Sequence, residues 1–366
     1  MSTFPPTRCG IARFASTFIE AMSSTYPNIR FEVVRLRRWG EVPFAARPVV
    51  MEIDPNIPVS IRAAARRLGR YDVAIVQHEF GIYGEDDGAS VVDLVSAIPV
   101  PCIVVLHTVI PDPTPRQLDI IKRLGKESSV LVALCQSAAD LLEEKYSVPA
   151  EKIEVIPHGT NWTPQAPNDP PRRRLITWGL LGPGKGIERA LLAVARLKDL
   201  DPPVNYRIVG RTHPVVLARS GKSYREMLEG MVRDLELENV VEFVDRYLDE
   251  PELMELVRTS DLVVVPYDNH VQVSSGVIAD AVGLGRPVVA TRFPHAVEML
   301  GDGAGEVVDH DPEALAQAIR RLLEDPNRYV EATKLAAAGS EKLNWVTVAG
   351  QYAHLIQDLA PALATA

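Results

Sequence analysis

Short apolar runs alternate with stretches of helical period along nearly the whole chain, and nothing else in the sequence restricts the fold as strongly. FEVVRL, DVAIVQ, CIVVLHT, VLVALC and IEVIP precede residue 165, and RLITWG, YRIVG, VVEFV, DLVVVPY and PVVAT follow it. Runs rich in Val, Ile and Leu suit strands buried on both faces, as in parallel sheets. Between them lie IARFASTFIEAM, RQLDIIKRLG, IERALLAVARLKDL, SYREMLEGMVRDLEL and DPEALAQAIRRLLEDP, with apolar residues three and four apart. The alternation predicts an α/β fold of doubly wound, Rossmann-like sheets with helices on both faces. With 366 residues the chain exceeds one ordinary core, and two domains of roughly 150 to 200 residues suit it. The divide falls in the Pro-rich polar stretch TPQAPNDPPRRR, residues 163 to 174. We therefore expect one domain over residues 1–165 and a second over 170–342, facing each other. The closing amphipathic stretch, about 345–366, is expected to cross back onto the first domain; a simple terminal helix explains its pattern equally well.

The first domain opens unusually. MSTFPPTRCGIARF leads through a Pro-rich turn straight into a helix, where an apolar strand should come first, and only Met1 to Phe4 supply a stump of one. Either the chain starts late or another segment fills a place that is normally central in such a sheet.

Composition narrows the function classes. The formal net charge of −9 argues against a protein that grips nucleic acid by neutralising phosphates. Cys9, Cys102 and Cys135 are odd in number and fall in no C-x-x-C spacing, so neither a disulfide framework nor a zinc site is encoded. This usage fits a reducing cytoplasm. No stretch approaches the ~18 apolar residues of a membrane span, and no basic-then-apolar leader opens the chain. Charge is nevertheless uneven. Arg30 to Arg70 carries nine arginines against Glu32, Glu41, Glu52 and Asp54, that is 9 − 4 = +5. The run is either a solvated face or a patch for anionic lipid or a negatively charged acceptor, which would place the protein peripherally at the inner face of a membrane.

In open parallel sheets ligands sit beyond the carboxyl ends of the strands, and the informative residues cluster at those corners. LITWGLLGPGKGIERALLAV sets Gly179, Gly182, Gly184 and Lys185 between strand and helix, a natural seat for phosphate. Gly179 to Gly186 is one residue short of a Walker A loop: Gly186 stands where Ser or Thr would ligate magnesium, so triphosphatase chemistry is disfavoured while diphosphate binding by Lys185 survives. QVSSGVIADAVGLGRPVV repeats the logic, with Ser274, Ser275 and Gly276 at the first turn of a helix and polar Gln272 and Asp280 eight positions apart. Ser274 also reads as a simple N-cap. No G-x-S-x-G surrounds these serines. His78-Glu79 begins H-E-x-x-H, but Ile82 replaces the second histidine, which excludes a zinc protease. His107 ends CIVVLHT as either a hydrogen-bonded corner residue or a catalyst. TRCGIARF has one glycine where a dinucleotide site needs three.

Taken together, FPPTRCGIA, QHEFGIYG, LHTVIPDP, VIPHGT, GLLGPGKGIE, VGRTHP with SYREML, and PYDNHVQVSSGVIADAVGLGRPVVAT with HAVEML resemble the retaining group 1 glycosyltransferases, family 4. The likeness spans nearly the whole chain. It implies the GT-B arrangement of two Rossmann-like domains around a cleft, the second binding a nucleotide-diphosphate sugar and the first an acceptor, carbohydrate or lipid-linked, that the sequence does not name. Transfer would retain anomeric configuration without a metal or other cofactor, the leaving diphosphate assisting deprotonation of the acceptor. On this likeness Lys185 contacts the donor diphosphate, Gly184 lies in its loop, Gly10 abuts the diphosphate, and His107 lies near the donor sugar. Leu180 stands where the family usually has an arginine, and Arg211 of VGRTHP is the candidate replacement. Gln272 and Asp280 take the two acidic positions of E-x7-E, an amide for sugar hydroxyls and a carboxylate for ribose. Catalysis would rest on His107, Lys185 and Gln272, donor binding also on Ser274, Ser275 and Gly276, and the acceptor side on Arg8, His78 and Glu79. Two other readings use the same fold: a sugar-nucleotide epimerase or hydrolase, and a binding subunit that has lost catalysis, which Gln272 and Leu180 favour.

Overall fold

Parallel pairing is the rule in every sheet. The computed structural model describes residues 1–37, 40–41, 43–44, 46–161, 163–164, 166, 171–268 and 275–361. Two units emerge, Met1–Gly159 with Trp345–Ala366, and Thr160–Asn344. The first holds strands β1 (Val33–Leu36), β2 (Val49–Ile53), β3 (Ala74–His78), β4 (Cys102–Leu106), β5 (Val130–Ala133) and β6 (Ile153–Val155), with helices α1 (Gly10–Thr25), α2 (Pro58–Leu68), α3 (Ser90–Ser96), α4 (Pro115–Glu127) and α5 (Gln136–Glu144). β1 pairs with β2, and β3-β4-β5-β6 form a second ribbon. Met1 and Ser2 lie between them. Ser2 N donates to Val34 O at 3.2 Å, Leu36 N to Ser2 O at 2.8 Å, and Gln77 N to Met1 O at 3.0 Å. The stump itself therefore takes the central place, and the chain's strand sequence turns back on itself between the stump and β3.

The second unit carries β7 (Arg174–Trp178), β8 (Asn205–Val209), β9 (Val241–Val244), β10 (Leu262–Val265), β11 (Val288–Thr291) and β12 (Gly305–Val308) in the order β12-β11-β10-β7-β8-β9. Its helices are α6 (Ile187–Ala195), α7 (Pro214–Ser220), α8 (Ser223–Asp234), α9 (Glu250–Thr259), α10 (Gly276–Gly283), α11 (Pro294–Leu300), α12 (Pro312–Glu324) and α13 (Pro326–Leu343). Successive strand residues face opposite sides, and they feed two cores: Leu175, Leu262, Val264 and Val289 join α6, α8 and α12, while Ile176, Val263, Val265 and Val288 join α9, α10, α11 and α13. The order reverses between β7 and β10. That switch point opens a crevice at the strands' carboxyl ends.

The last helix, α14 (Trp345–Leu359), packs on α1 within the first unit. Phe18 meets Tyr352 edge-on at 4.8 Å between ring centroids, and Phe14 meets Trp345 at 5.3 Å. A Cβ at Gly159 would stand 2.3 Å from the Trp345 ring, so glycine is required where the helix seats.

Ten apolar runs announced ten strands; β2 and β12 were missed. Both are edge strands, half-exposed along much of their length, with Glu52 inside one and Gly305 opening the other, and edges carry the weakest apolar signal. The arginine run also changes character. Arg35 is fully buried and pairs with Glu41 and Glu52, Arg37 lies 3.9 Å from Glu52, and Arg67 lies 2.8 Å from Glu32. Internal pairs thus absorb part of the excess; Arg30, Arg47, Arg62, Arg66 and Arg70 remain exposed, and Arg38 lies outside the described residues. Among the described residues no helix is long and apolar enough to cross a membrane.

Candidate functional site

At the switch point of the second unit, the loop after β7 and the loop after β10 touch. Gly186 adopts φ +63° and a Cβ there would stand 1.8 Å from Pro266 O, so the contact exists only because residue 186 is glycine. Asp268 N donates to Gly184 O at 3.0 Å and Arg189 Nη1 to Pro266 O at 3.1 Å. Arg189 also pairs with Asp268, which ties that carboxylate down. Gly184 itself has φ +90° and open space around its Cβ position.

Lys185 lies half-buried at this junction, its Nζ 4.1 Å from the centroid of the Tyr267 ring. Among the described residues no carboxylate pairs with it. The ring is only 2% exposed, stacks on Phe293 at 5.6 Å, and its backbone carbonyl accepts from Thr291 Oγ1 at 2.6 Å. Tyr267 is therefore a rigid platform that holds an ammonium group over its face, an attraction of about 0.5–2 kcal/mol, while leaving that charge unneutralised. The sequence reading missed Tyr267; its only signal was an aromatic directly beyond an apolar strand.

Across β7, Leu181 bridges to Thr212 in parallel register, with Leu181 N donating to Arg211 O at 2.9 Å and His213 N to Leu181 O at 2.8 Å. The register puts exposed Arg211 beside Leu180, the position that lacks an arginine. On the other side, α10 begins at Gly276. Its N-cap is Ser275, whose Oγ accepts from Ile278 N at 3.4 Å. Asp280 sits one turn into this helix, only 4% exposed, so its carboxylate is enclosed rather than presented. Gln272 and Ser274 lie outside the described residues.

In the first unit Arg8 and Gly10 lie at the start of α1, and Glu79 and His107 directly follow β3 and β4. Arg8 is exposed in the turn before α1, whose first residue, Gly10, has nothing within 4 Å of its Cβ position. The turn is fixed from below: buried Arg35 donates through Nε to Phe4 O at 3.1 Å and through Nη2 to Thr7 Oγ1 at 2.8 Å. His107 lies edge-on to Phe14 at 4.8 Å, and its Nε2 donates to Gln77 Oε1 at 2.7 Å. Burial, with His158 and His78 adding, pushes its pKa down to about 3. The ring is neutral at pH 7, with its proton on Nε2 and Nδ1 an acceptor. Glu79 accepts from Thr108 Oγ1 and from Phe80 N at 3.0 Å, and burial raises its pKa.

His78 requires a correction. It is 0% exposed, edge-on to Phe80 at 4.9 Å and stacked on Tyr83 at 6.4 Å, so it does not face an acceptor. Strand alternation explains the error, since His78 shares its direction with buried Ala74 and Val76. Burial lowers its pKa to about 3. Unfolded histidine titrates near 6.5, so His78 and His107 bind protons more readily in the unfolded chain. Their stabilising neutral state is complete above pH 6.5 and stability falls as pH drops from there toward 3. Urea midpoints at pH 7.5 and 4.5 should show this loss, and His78→Leu should reduce it; an equal loss in the variant removes His78 from the account.

Two family models match consecutive parts of the chain: group 1 glycosyl transferases over residues 160–339, and glycosyltransferase family 4 over residues 17–162. D-inositol 3-phosphate glycosyltransferase of Corynebacterium glutamicum is 28% identical over 254 residues, covering 65% of this chain and 59% of that protein. The Corynebacterium jeikeium protein of the same name is 30% identical over 254 residues, covering 64% and 58%. The chain thus spans less than two thirds of the length of these relatives. Among solved structures, Anabaena Alr3699/HepE in complex with UDP superposes with a TM-score of 0.70 at 21% identity, over 85% of this chain and 86% of that one. Sucrose-phosphate synthase from Thermosynechococcus elongatus gives 0.71 at 20% identity, over 96% and 94%. At these identities the superpositions speak for the fold alone.

Proposed function

The chain belongs to the group 1 glycosyltransferases and has their GT-B fold, and from this premise we propose that it transfers a hexosyl group from a nucleotide-diphosphate sugar to an acceptor hydroxyl, with retention of configuration. The observation that carries the reading is Lys185, poised on Tyr267 without a carboxylate partner among the described residues, at a glycine-built switch point. In the reaction the bond from the anomeric carbon to the diphosphate oxygen breaks, the acceptor oxygen bonds to that carbon from the same face, and its proton passes to the leaving diphosphate. The negative charge that develops there is met by Lys185, held over Tyr267, by Arg211 and by the first backbone N–H groups of α10. These groups take the part a metal or cofactor would otherwise play. Neutral His107 remains assigned to the donor sugar. Gln272 and Asp280 remain assigned to the donor, Asp280 only after its carboxylate opens. Arg8 and Glu79 remain on the acceptor side.

HepE is described in complex with UDP and with UDP-glucose, which makes uridine nucleotides the first to try here. A thermal-shift screen of UDP, GDP, ADP and their sugars on the purified chain should find one that raises Tm. Arg211→Ala should then weaken the best diphosphate about tenfold, the equivalent of ~1.4 kcal/mol for one charge-assisted hydrogen bond. Absence of any shift with every nucleotide overturns the reading. A lipid-linked acceptor is the second reading, favoured by Val59, 59% exposed on α2 beside exposed Arg62 and Arg66. Pelleting with phosphatidylglycerol vesicles but not with phosphatidylcholine vesicles supports it, and indifference to both removes it.

A further inference from the structure

Buried Gln77 meets His107 where β3 and β4 end. The parallel register pairs Gln77 with Val105, and His107 follows Val105 by two residues, so the side chains of Gln77 and His107 leave the sheet on the same face. Resting on the transferase reading above, in which His107 is assigned to the donor sugar, we propose that Gln77 is a positioning residue whose amide fixes the His107 ring as the uncharged Nε2–H tautomer for glycosyl transfer.

Both partners are held in place. Gln77 is 4% exposed, its N donates to Met1 O at 3.0 Å, and its backbone carbonyl accepts from Tyr83 Oη at 2.8 Å. His107 N donates to His78 O at 3.0 Å, and its ring lies edge-on to Phe14 of α1. Gln77 Oε1 accepts from His107 Nε2 at 2.7 Å. An amide here differs from a carboxylate. It selects the tautomer but brings no charge, so nothing offsets the burial that keeps the ring neutral, and the titratable neighbours His158 after β6 and His78 on β3 add to that effect. Glu79, the carboxylate at the same corner, is engaged with Thr108 Oγ1 and Phe80 N. As in glycoside hydrolysis, an anomeric carbon gains positive character while its bond to the leaving group breaks. An imidazolium nearby would raise that barrier by like-charge repulsion; the neutral ring does not.

Gln77→Glu keeps the shape and adds one titrating group. At high pH the introduced carboxylate accepts from Nε2–H as the amide does. On taking up one proton the pair becomes either imidazolium with carboxylate, or a carboxylic acid donating to Nε2 with the ring proton on Nδ1. Both lose the native state. Release of UDP from UDP-glucose, or of the diphosphate from whichever nucleotide sugar raises Tm, should therefore be about tenfold slower than native at pH 6.5 and approach the native rate by pH 9. Gln77→Met cannot accept, and should lower kcat about tenfold at both pH values with KM for the nucleotide sugar unchanged. Nitrogen-15 histidine spectra of the full chain, with His107→Gln identifying the resonance, should show neutral Nε2–H in the native protein at pH 7 and mixed tautomers in Gln77→Met. The nucleotide-dependent rise in Tm should persist in both Gln77 variants, which certifies their fold. A native His107 that is charged or Nδ1–H, or a Gln77→Glu rate that keeps a constant ratio to native across pH, overturns this proposal alone. Failure of every nucleotide to bind strikes the transferase reading instead.

Discussion

Lys185→Ala should lower turnover by roughly 100- to 1000-fold and abolish the nucleotide-diphosphate shift in Tm. The range is that for loss of one preorganised donor to a developing anion. It applies because Lys185 is the cation at the contact between the β7 and β10 loops, held over Tyr267 at 4.1 Å. Arg189, the nearest alternative in sequence, is already paired with Asp268 and the Pro266 carbonyl. Tyr267→Leu is the informative companion. It keeps the charge and removes the platform, so a diphosphate should bind five- to tenfold more weakly, while a nucleoside monophosphate that does not reach Lys185 is unaffected. Titration calorimetry with both nucleotides on both variants decides the matter. Equal losses for mono- and diphosphate would separate Tyr267 from the charge, and an undiminished diphosphate affinity in Lys185→Ala would remove the lysine from the site.

Gly186→Ala should be among the most damaging single changes in the protein, with a loss of about 3–5 kcal/mol or failure to fold. Two effects add. The residue sits at φ +63°, a left-handed conformation that costs an L-residue roughly 1–2 kcal/mol. Its new Cβ would also stand 1.8 Å from Pro266 O, so the β7 and β10 loops must part and the well-packed core beneath must strain. Gly184→Ala separates the two effects, because Gly184 has φ +90° but nothing within 4 Å of its Cβ position. It should lose only the backbone part. Denaturant midpoints of the two variants measure the difference, and similar midpoints would show that the Pro266 contact carries no stability.

Much of the architecture was readable because strand burial and glycine chemistry are local. Ten apolar runs marked ten strands, most of them buried, and the glycines around Lys185 marked a corner that needs unusual backbone angles. Gly10, Gly184, Lys185, Arg211, Ser275 and Gly276 all fall at strand-to-helix corners, where the reasoning put them. The failures are equally specific. His78 ends a strand directly before the corner residue Glu79, yet one step in the pleat turns it into the core. Arg35 belonged to a run that looked like a surface patch, and proves to be the buried tie that holds the turn before α1. Ser275 supplies the α10 cap, while Ser274, which also read as a cap, lies outside the described residues.

By itself the sequence determined the doubly wound α/β class, the strand-to-helix corners and the charge available at each, since these follow from periodicity and backbone freedom over a few residues. The tertiary structure alone decided which corners meet. Arg189 and Asp268 pair across a separation of 79 residues, and Lys185 finds Tyr267 at the same contact, because β10 inserts beside β7 rather than after β9. That strand order is a property of two cores packed on opposite faces of one sheet, and no short stretch of sequence contains it.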